Sequence, residues 1–337
     1  MGYRFNVAGI NELLAELGKT HLLFAPKMFE GEGAYSDTDS VRYGEVHSVE
    51  QIELTQKSSH SFKEILLPIS ETLFYYTEEE TKEAGSPQKE AIVFLRSCDL
   101  HALKRLDEIY LNHGAEDYFY KRLREHTKFI LLGCATPFDN CFCVDMGSNI
   151  STSYDASMDL RDEDYYMDCQ FTEWVSLFET YALESIEVFP DHATKTKTHV
   201  NIPEGLTVDV AKSKMWEEYD TRCIGCGRCN FSCPTCTCFT MQDIFYSDNG
   251  KVGERRRVWA SCMVDGYTDV AGGGNYRKQY GQRMRFKVLH KVLDYKQRFG
   301  YHMCVGCGRC DDVCPEYISF SHAINKLDEA SKEEAVK

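Results

Sequence analysis

Apolar positions along this chain follow two different periods, and the places where one gives way to the other outline its elements. Leu13, Leu14 and Leu17 share one helical face, so residues 1 to about 20 read as a short helix that Gly18 can end. His21–Pro26 (HLLFAP) reads as a strand stopped by its proline, and Gly31–Asp39 as a loop by composition. Ile65–Ile69 and Thr72–Tyr76 are short buried segments. Glu78–Glu90, acidic and carrying Gly85, Ser86 and Pro87, reads as a solvated surface loop. Ala91–Leu95 is a continuous apolar run, after which Leu100, Leu103, Leu106 and Tyr110 recur at helical spacing: strand, turn, helix. Phe129–Cys134 is a second such strand, with the exit loop ATPFDNCFCVDMG ending at Gly147. Phe171–Phe189 has helical periodicity through Trp174, Leu177, Phe178 and Tyr181, aromatics of the kind that fill a core. These elements predict an α/β (or α+β) N-terminal domain over residues 1–212. Beyond it the pattern reads as helical, through Phe239–Tyr246 and Ile318–Leu327, and predicts a second domain over residues 213–337.

The second domain contains one motif twice. CIGCGRCNFSCP places Cys223, Cys226, Cys229 and Cys233 at C-x2-C-x2-C-x3-C before Pro234, and CVGCGRCDDVCP does the same with Cys304, Cys307, Cys310, Cys314 and Pro315. This is the ferredoxin run for a [4Fe–4S] cluster, in which the fourth cysteine ligates the other cluster of the pair. The expected sets are therefore Cys223, Cys226, Cys229 and Cys314 for one cluster, and Cys304, Cys307, Cys310 and Cys233 for the other. Gly225, Gly227, Gly306 and Gly308 let the backbone come close to the inorganic sulfides. Paired zinc ribbons are the competing reading, but zinc has no use for the third and fourth cysteines at these offsets. About seventy residues separate the two runs, far more than in a small hairpin ferredoxin, which favours an all-helical dicluster ferredoxin domain.

Four more cysteines collect at the strand ends of the first domain: Cys98 in the turn after Ala91–Leu95, Cys134 at the end of its strand, and Cys141 and Cys143 in the exit loop. Strand ends are where α/β layers place their sites. Four thiolates suffice for a third [4Fe–4S] cluster or for one zinc; unligated core thiols are the plain alternative. Cys169 has no partner nearby in sequence and reads as incidental. Cys236, Cys238 and Cys262, between the two runs, read as buried thiols near a cluster or as replacements for one of the eight ligands.

Composition narrows the setting. The chain has 337 residues, a net charge of −15 and sixteen cysteines. The acidic balance argues against nucleic acid or an anionic membrane as partner. No secretory leader or membrane-length apolar run is visible, so the cysteines read as metal ligands in a reducing, oxygen-poor cytoplasm rather than as disulfides. The stretch between the ferredoxin runs is basic, with Arg255, Arg256 and Arg257 consecutive, followed by Arg277, Lys278, Arg283, Arg285, Lys287, His290 and Lys291. These charges either offset the negative charge of thiolate-ligated clusters or form a docking face for an acidic partner. AGGGN (Ala271–Asn275) lacks a dinucleotide fingerprint and reads as a flexible turn. No P-loop, nucleophile elbow or HExxH is present, and nothing marks a flavin or haem site.

The blocks RSCDLHALKRLD, DNCFCVDMGSN, CPTCTCF, RRRVWASCM, AGGGNYR and HMCVGCGRCDDVCP together resemble the A subunit of anaerobic, siroheme-dependent sulfite reductases, over nearly the whole chain. The β subunits of cytosolic sulfhydrogenases are similar in the same blocks. The resemblance implies a non-catalytic iron–sulfur electron-transfer subunit of an oxidoreductase. Its implied partners are a flavin- and NAD-binding reductase subunit and a siroheme subunit that reduces sulfite to hydrogen sulfide. It carries the ligand role to the eight ferredoxin cysteines, and to Cys98, Cys134, Cys141 and Cys143. The alternative is the same electron-carrying role beside a NiFe hydrogenase.

Overall fold

A computed structural model of the protein describes every residue except 34, 36, 86–88, 336 and 337. Parts of the two loops expected at Gly31–Asp39 and Glu78–Glu90 thus lie outside the described residues. The strands of the first half are β1 (Gly2–Phe5), β2 (His21–Phe29), β3 (Ser40–Glu45), β4 (Ser70–Tyr76), β5 (Thr81–Glu83), β6 (Glu90–Leu95), β7 (Thr127–Leu132), β8 (Ala156–Arg161), β9 (Asp164–Asp168) and β10 (Glu184–Ser185). Eight of them form one sheet in the order β10-β1-β9-β8-β7-β6-β2-β3. Its middle, β2, β6, β7 and β8, is parallel; the flanking pairs are antiparallel.

The apolar runs take the middle positions because both faces there are covered. In β6, Ile92 and Phe94 face one core while Val93 and Leu95 face the other; in β7, Ile130 and Leu132 oppose Phe129 and Leu131 in the same way. The helix Val7–Thr20 covers the first face with Ile10, Leu13, Leu14 and Leu17, and Trp174 and Phe178 join it there. The helix Ser97–Tyr110 brings Leu100, Leu103 and Leu106 to the second face. Each such side chain, once fully buried, contributes about 1.5–3 kcal/mol.

Several expectations change: Gly2–Phe5 forms a strand ahead of the first helix, and Thr81–Glu83, inside the expected loop, forms β5. Pro26 does not stop β2, which runs to Phe29: pairing with β6 covers only His21–Phe24, and beyond that β2 bonds β3 alone, so the missing N–H interrupts no two-sided ladder. The C-terminal region is not all-helical. Phe239–Phe245 forms β11 and Gly253–Trp259 forms β12, an antiparallel hairpin whose turn carries Asn249 and Gly250, with Gly250 at φ +69°. β12 also pairs with β4, giving a four-stranded sheet β11-β12-β4-β5 with strands from both sides of residue 212. Its aromatic and β-branched residues, Phe239, Thr240, Ile244 and Phe245, suit a pleated surface better than a helix.

Around the ferredoxin runs the structure is helical. Tyr280–Leu289 continues through one π turn, His290–Asp294, into Tyr295–Phe299, and Phe320–Asn325 follows the second run. They share a core with Trp216, Tyr219, Met284, Val288, Val292, Ile324 and Leu327. Among the described residues no helix is long and apolar enough to cross a membrane.

Candidate functional site

The two ferredoxin runs fold into matched loops. Gly225 and Gly227 have φ of +67° and +74°, and Gly306 and Gly308 have +64° and +70°, the left-handed conformation that glycine adopts without a Cβ penalty. That conformation turns backbone N–H groups inward. Gly225 N donates to Cys223 Sγ and Gly306 N to Cys304 Sγ, each at 3.4 Å, and Ile318 N donates to Cys314 Sγ at 3.3 Å. Short helices, Arg228–Phe231 and Arg309–Asp312, start directly after the second glycine of each loop.

Two adjoining cavities lie between these loops. Cys223, Cys226, Cys229 and Cys314 line the first; Cys233, Cys304, Cys307 and Cys310 line the second. Cys229, Cys310, Lys287 and Phe320 border both. Among the described residues no three His, Cys, Asp or Glu side chains form a group that could hold a single metal ion. The thiols line the walls of these two spaces. Burial pushes the Cys304 thiol up to about 12 and the Cys307 thiol to about 11. As free thiols they keep their protons at neutral pH, and a bound metal group would displace them.

Three buried lysines face these thiols. Lys63, Lys287 and Lys291 are 3%, 3% and 2% exposed. Lys63 Nζ donates to the carbonyls of Asn230 (3.1 Å) and Cys236 (3.0 Å), and Lys291 Nζ to Thr235 Oγ1 (2.7 Å). Unlike Lys57, which pairs with Asp312 at 2.6 Å, none of the three has a carboxylate within ion-pair distance among the described residues. Burial pulls the Lys287 ammonium down, but negative charge on Cys229, Cys310 and Cys236, which a bound metal group would create by displacing their protons, outweighs it and holds the group well above its ordinary value. An unpaired buried ammonium costs several kcal/mol, so Lys287 and Lys291 call for negative charge in the cavities they line; Lys63, whose ammonium burial pulls below its ordinary value, lines neither cavity. A thiolate-ligated iron–sulfur cluster has that charge and that donor set.

The four N-terminal cysteines lie at the carboxyl ends of β6 and β7 and in the loop after β7, next to the second cavity. Cys143 is within electrostatic reach of Cys98, Cys134, Cys141 and Cys307. Lys57 Nζ lies 3.8 Å from Cys141 Sγ and 3.0 Å from the carbonyl of Cys307, bridging the two cysteine sets. Burial, with only thiol and carboxylate neighbours to set against Arg309, pushes Cys98 well above the ordinary thiol range, and Cys143 rises to about 12.

Backbone fit explains why the exit loop sits there. A Cβ on Gly306 would stand 2.5 Å from Phe142 O, and one on Gly308 2.2 Å from Asn140 O. Phe142 N donates to Gly306 O (2.8 Å) and Ser148 Oγ to Val305 O (2.6 Å). Arg309 then makes a two-pronged ion pair with Asp99 (2.7 and 2.8 Å) and bonds Ser58, all buried. The corresponding arginine of the first run, Arg228, is exposed.

The remaining sequence candidates separate cleanly. Cys169 is buried in the core of the large sheet, its Sγ 3.4 Å from Phe171 O, away from every other cysteine set. The arginine run is not a free basic patch: Arg255 pairs with Asp243, Arg256 with Glu254, and Arg257 with Glu71 and Asp117. Ala271–Asn275 lies in a tight two-stranded turn, Asp269–Val270 against Gly274–Asn275. Sequence reasoning passed over Lys57 and Lys63. The one signal for Lys63 was its place between Phe62 and the buried segment that starts at Ile65.

Residues 222–318 match the 4Fe-4S dicluster domain family. Over 313 residues, 88% of this chain and 92% of the other, the protein is 27% identical to sulfhydrogenase 2 subunit beta of Pyrococcus furiosus. No solved structure matches. The chain is thus related to a subunit of an oxidoreductase complex and has a dicluster iron–sulfur region, the make-up of an iron–sulfur electron-transfer subunit.

Proposed function

We propose that this chain binds three [4Fe–4S] clusters and serves as the electron-transfer subunit of an anaerobic sulfite reductase. The observation that carries the cluster reading is the pair of adjoining cavities, each bordered by three cysteines of one run and the fourth of the other. In this reading Cys223, Cys226, Cys229 and Cys314 hold one cluster, Cys304, Cys307, Cys310 and Cys233 the second, and Cys98, Cys134, Cys141 and Cys143 the third. When bound, such a cluster supplies one-electron transfer at a potential tuned by charge, burial and hydrogen bonds. The chain's own residues set those conditions. Gly225, Gly306 and Ile318 donate N–H bonds to ligand sulfurs. Met263, Met284, Phe142 and Phe320 keep water from the cavities, and Lys287 and Lys291 provide positive charge.

The Arg255–Arg257 run and the WASC segment that follows it favour sulfite reductase over the hydrogenase branch. Its partners would be a flavin- and NAD-binding reductase subunit and a siroheme subunit, in the cytoplasm. The similarity to sulfhydrogenase 2 subunit beta favours a second reading, the β subunit of a NiFe sulfhydrogenase. Anaerobic purification of the native complex tests both. Siroheme in the complex supports the first and nickel the second, and neither beside an iron-free, zinc-loaded chain would sink both. About twelve irons per chain, four per cubane, are expected; about eight would remove the third cluster. Cys307→Ser should lower the iron count, and Cys169→Ser should not.

A further inference from the structure

Three cysteines lie outside the proposed ligand sets and close to the second cavity: Cys236, Cys238 and Cys262. Cys238 immediately precedes β11 and Cys262 lies three residues beyond β12, so the hairpin brings together two thiols far apart in sequence. Ala260 N donates to Cys238 O at 3.0 Å, extending the hairpin past its last paired residues and fixing the two ends. The sulfurs of Cys238 and Cys262 are within hydrogen-bond reach of one another. Asn230, 1% exposed, donates from Nδ2 to Cys262 Sγ at 3.0 Å, and the Tyr267 hydroxyl bonds Cys238. Cys236 is paired differently, with Cys233.

The pair is asymmetric. Cys262 is buried, whereas Cys238 is partly exposed at a crevice lined by Tyr110, Phe239, Arg257 and Trp259. The hydrogen bond from Cys262 is the largest influence on Cys238 and brings its thiol down to about 6, while the same bond raises Cys262. The outer sulfur lines the crevice and is open to an incoming substrate, whereas the inner one is shielded behind it. Thiol–disulfide exchange needs such a division between an attacking and a resolving sulfur.

We propose that Cys238 and Cys262 form a redox-active dithiol that exchanges with a disulfide substrate reaching Cys238 through the crevice beside Trp259. The Cys238 thiolate attacks one sulfur of the substrate, forming a Cys238–substrate disulfide and releasing the first substrate thiolate. Cys262 then gives up its proton and displaces the second substrate thiolate, closing a Cys238–Cys262 disulfide. The pair loses two electrons and the substrate disulfide gains them, leaving two thiols. The reverse sequence oxidises a dithiol. The site is independent of the cluster reading, since neither cysteine belongs to a proposed ligand set.

The test uses the full chain purified anaerobically with its iron. It is equilibrated with mixtures of dithiothreitol and its oxidised form, alkylated, digested and analysed for linked peptides. A Cys238–Cys262 linked peptide is expected, its oxidised-to-reduced ratio rising about tenfold for each tenfold rise in oxidised over reduced dithiothreitol, as for a single two-electron couple. Cys262→Ser should trap the mixed disulfide on Cys238, and Cys238→Ser should abolish the adduct, both with wild-type iron content. Absence of the linked peptide at every ratio overturns the proposal, and so does loss of iron in either variant, which would make these cysteines ligands. Iron-free wild-type protein would sink the cluster reading, and the linked peptide would still decide this one.

Discussion

Replacing Lys287 with methionine removes a positive charge that borders both ferredoxin cavities while keeping most of the side chain's apolar volume. The ammonium lies within hydrogen-bond reach of Cys229 and has no carboxylate partner among the described residues. At a separation of about 6 Å and an effective dielectric of about 20, one unit charge acts on another with about 3 kcal/mol. For a one-electron couple that corresponds to roughly 130 mV. The added electron is less stabilised without the cation, so Lys287→Met should lower the midpoint potentials of the clusters in both cavities by that order. Lys287→Arg, which keeps the charge, should shift them far less. The assay is a redox titration followed by EPR on protein with matched iron content. Unchanged midpoints in Lys287→Met at full iron loading would refute the argument, and equal shifts in the Met and Arg variants would assign the effect to packing rather than charge.

Arg309→Ala leaves Asp99 as a fully buried carboxylate without its ion pair and should cost about 3–5 kcal/mol, whereas Arg228→Ala on the exposed copy should stay within about 0.5 kcal/mol; thermal or denaturant unfolding of the two variants checks the contrast. Gly308→Ala forces a left-handed alanine, at about 1–2 kcal/mol, against Asn140 O, and should lower iron per chain through displacement of the Cys141–Cys143 loop. Asp159 is held up to about 6, chiefly by burial, and its Oδ2 has no hydrogen-bond partner. A carboxyl raised in this way favours folding while protonated, so its contribution is complete below the unfolded value and lost as pH rises through about 6. Asp159→Asn, which can still accept the Asp191 N–H, should therefore stabilise the protein at pH 7.5 by roughly 1–3 kcal/mol and have little effect at pH 4; parallel stability curves for the two proteins would show the reasoning wrong.

Much of the site was readable because ligand spacing is a short-range property. Both C-x2-C-x2-C-x3-C loops turn through glycines with positive φ at the same two positions. The strand-end location of Cys98 and Cys134 was also accessible, because β6 and β7 are buried on both faces and therefore continuous in hydrophobicity. The hairpin β11–β12 was not found, although Asn249–Gly250 is a turn signal. Its seven-residue strands carry charges at Asp243 and Arg255–Arg257 that pair across the hairpin or with Glu71 of β4 and Asp117 at the start of the helix Tyr118–Glu125, so their polarity follows partners on other elements rather than a local period. The same cause hid the meaning of the arginine run: Glu71 and Asp117, which neutralise Arg257, lie more than a hundred residues away.

The two ferredoxin runs share nearly the same core sequence, and their different surroundings show what the rest of the chain adds. Around the first run, Cys226 is exposed, Ile224 is 55% exposed and Tyr317 is 88% exposed. Around the second, Cys307 is buried, Arg309 is sealed against Asp99 and Ser58, and the backbone of Phe142 and Asn140 fills the space that any side chain at Gly306 or Gly308 would need. A duplicated loop alone would present both cavities alike. The α/β layer removes that symmetry by pressing its cysteine-bearing exit loop onto one copy only. Moreover, Asp99 lies beside Cys98, and Asn140 and Phe142 flank Cys141, so the residues that seal the second loop are the sequence neighbours of the N-terminal thiols. Any change that loosens this seal must also move that third set, which ties the geometry of the four N-terminal cysteines to the integrity of the second ferredoxin loop rather than to the large sheet alone.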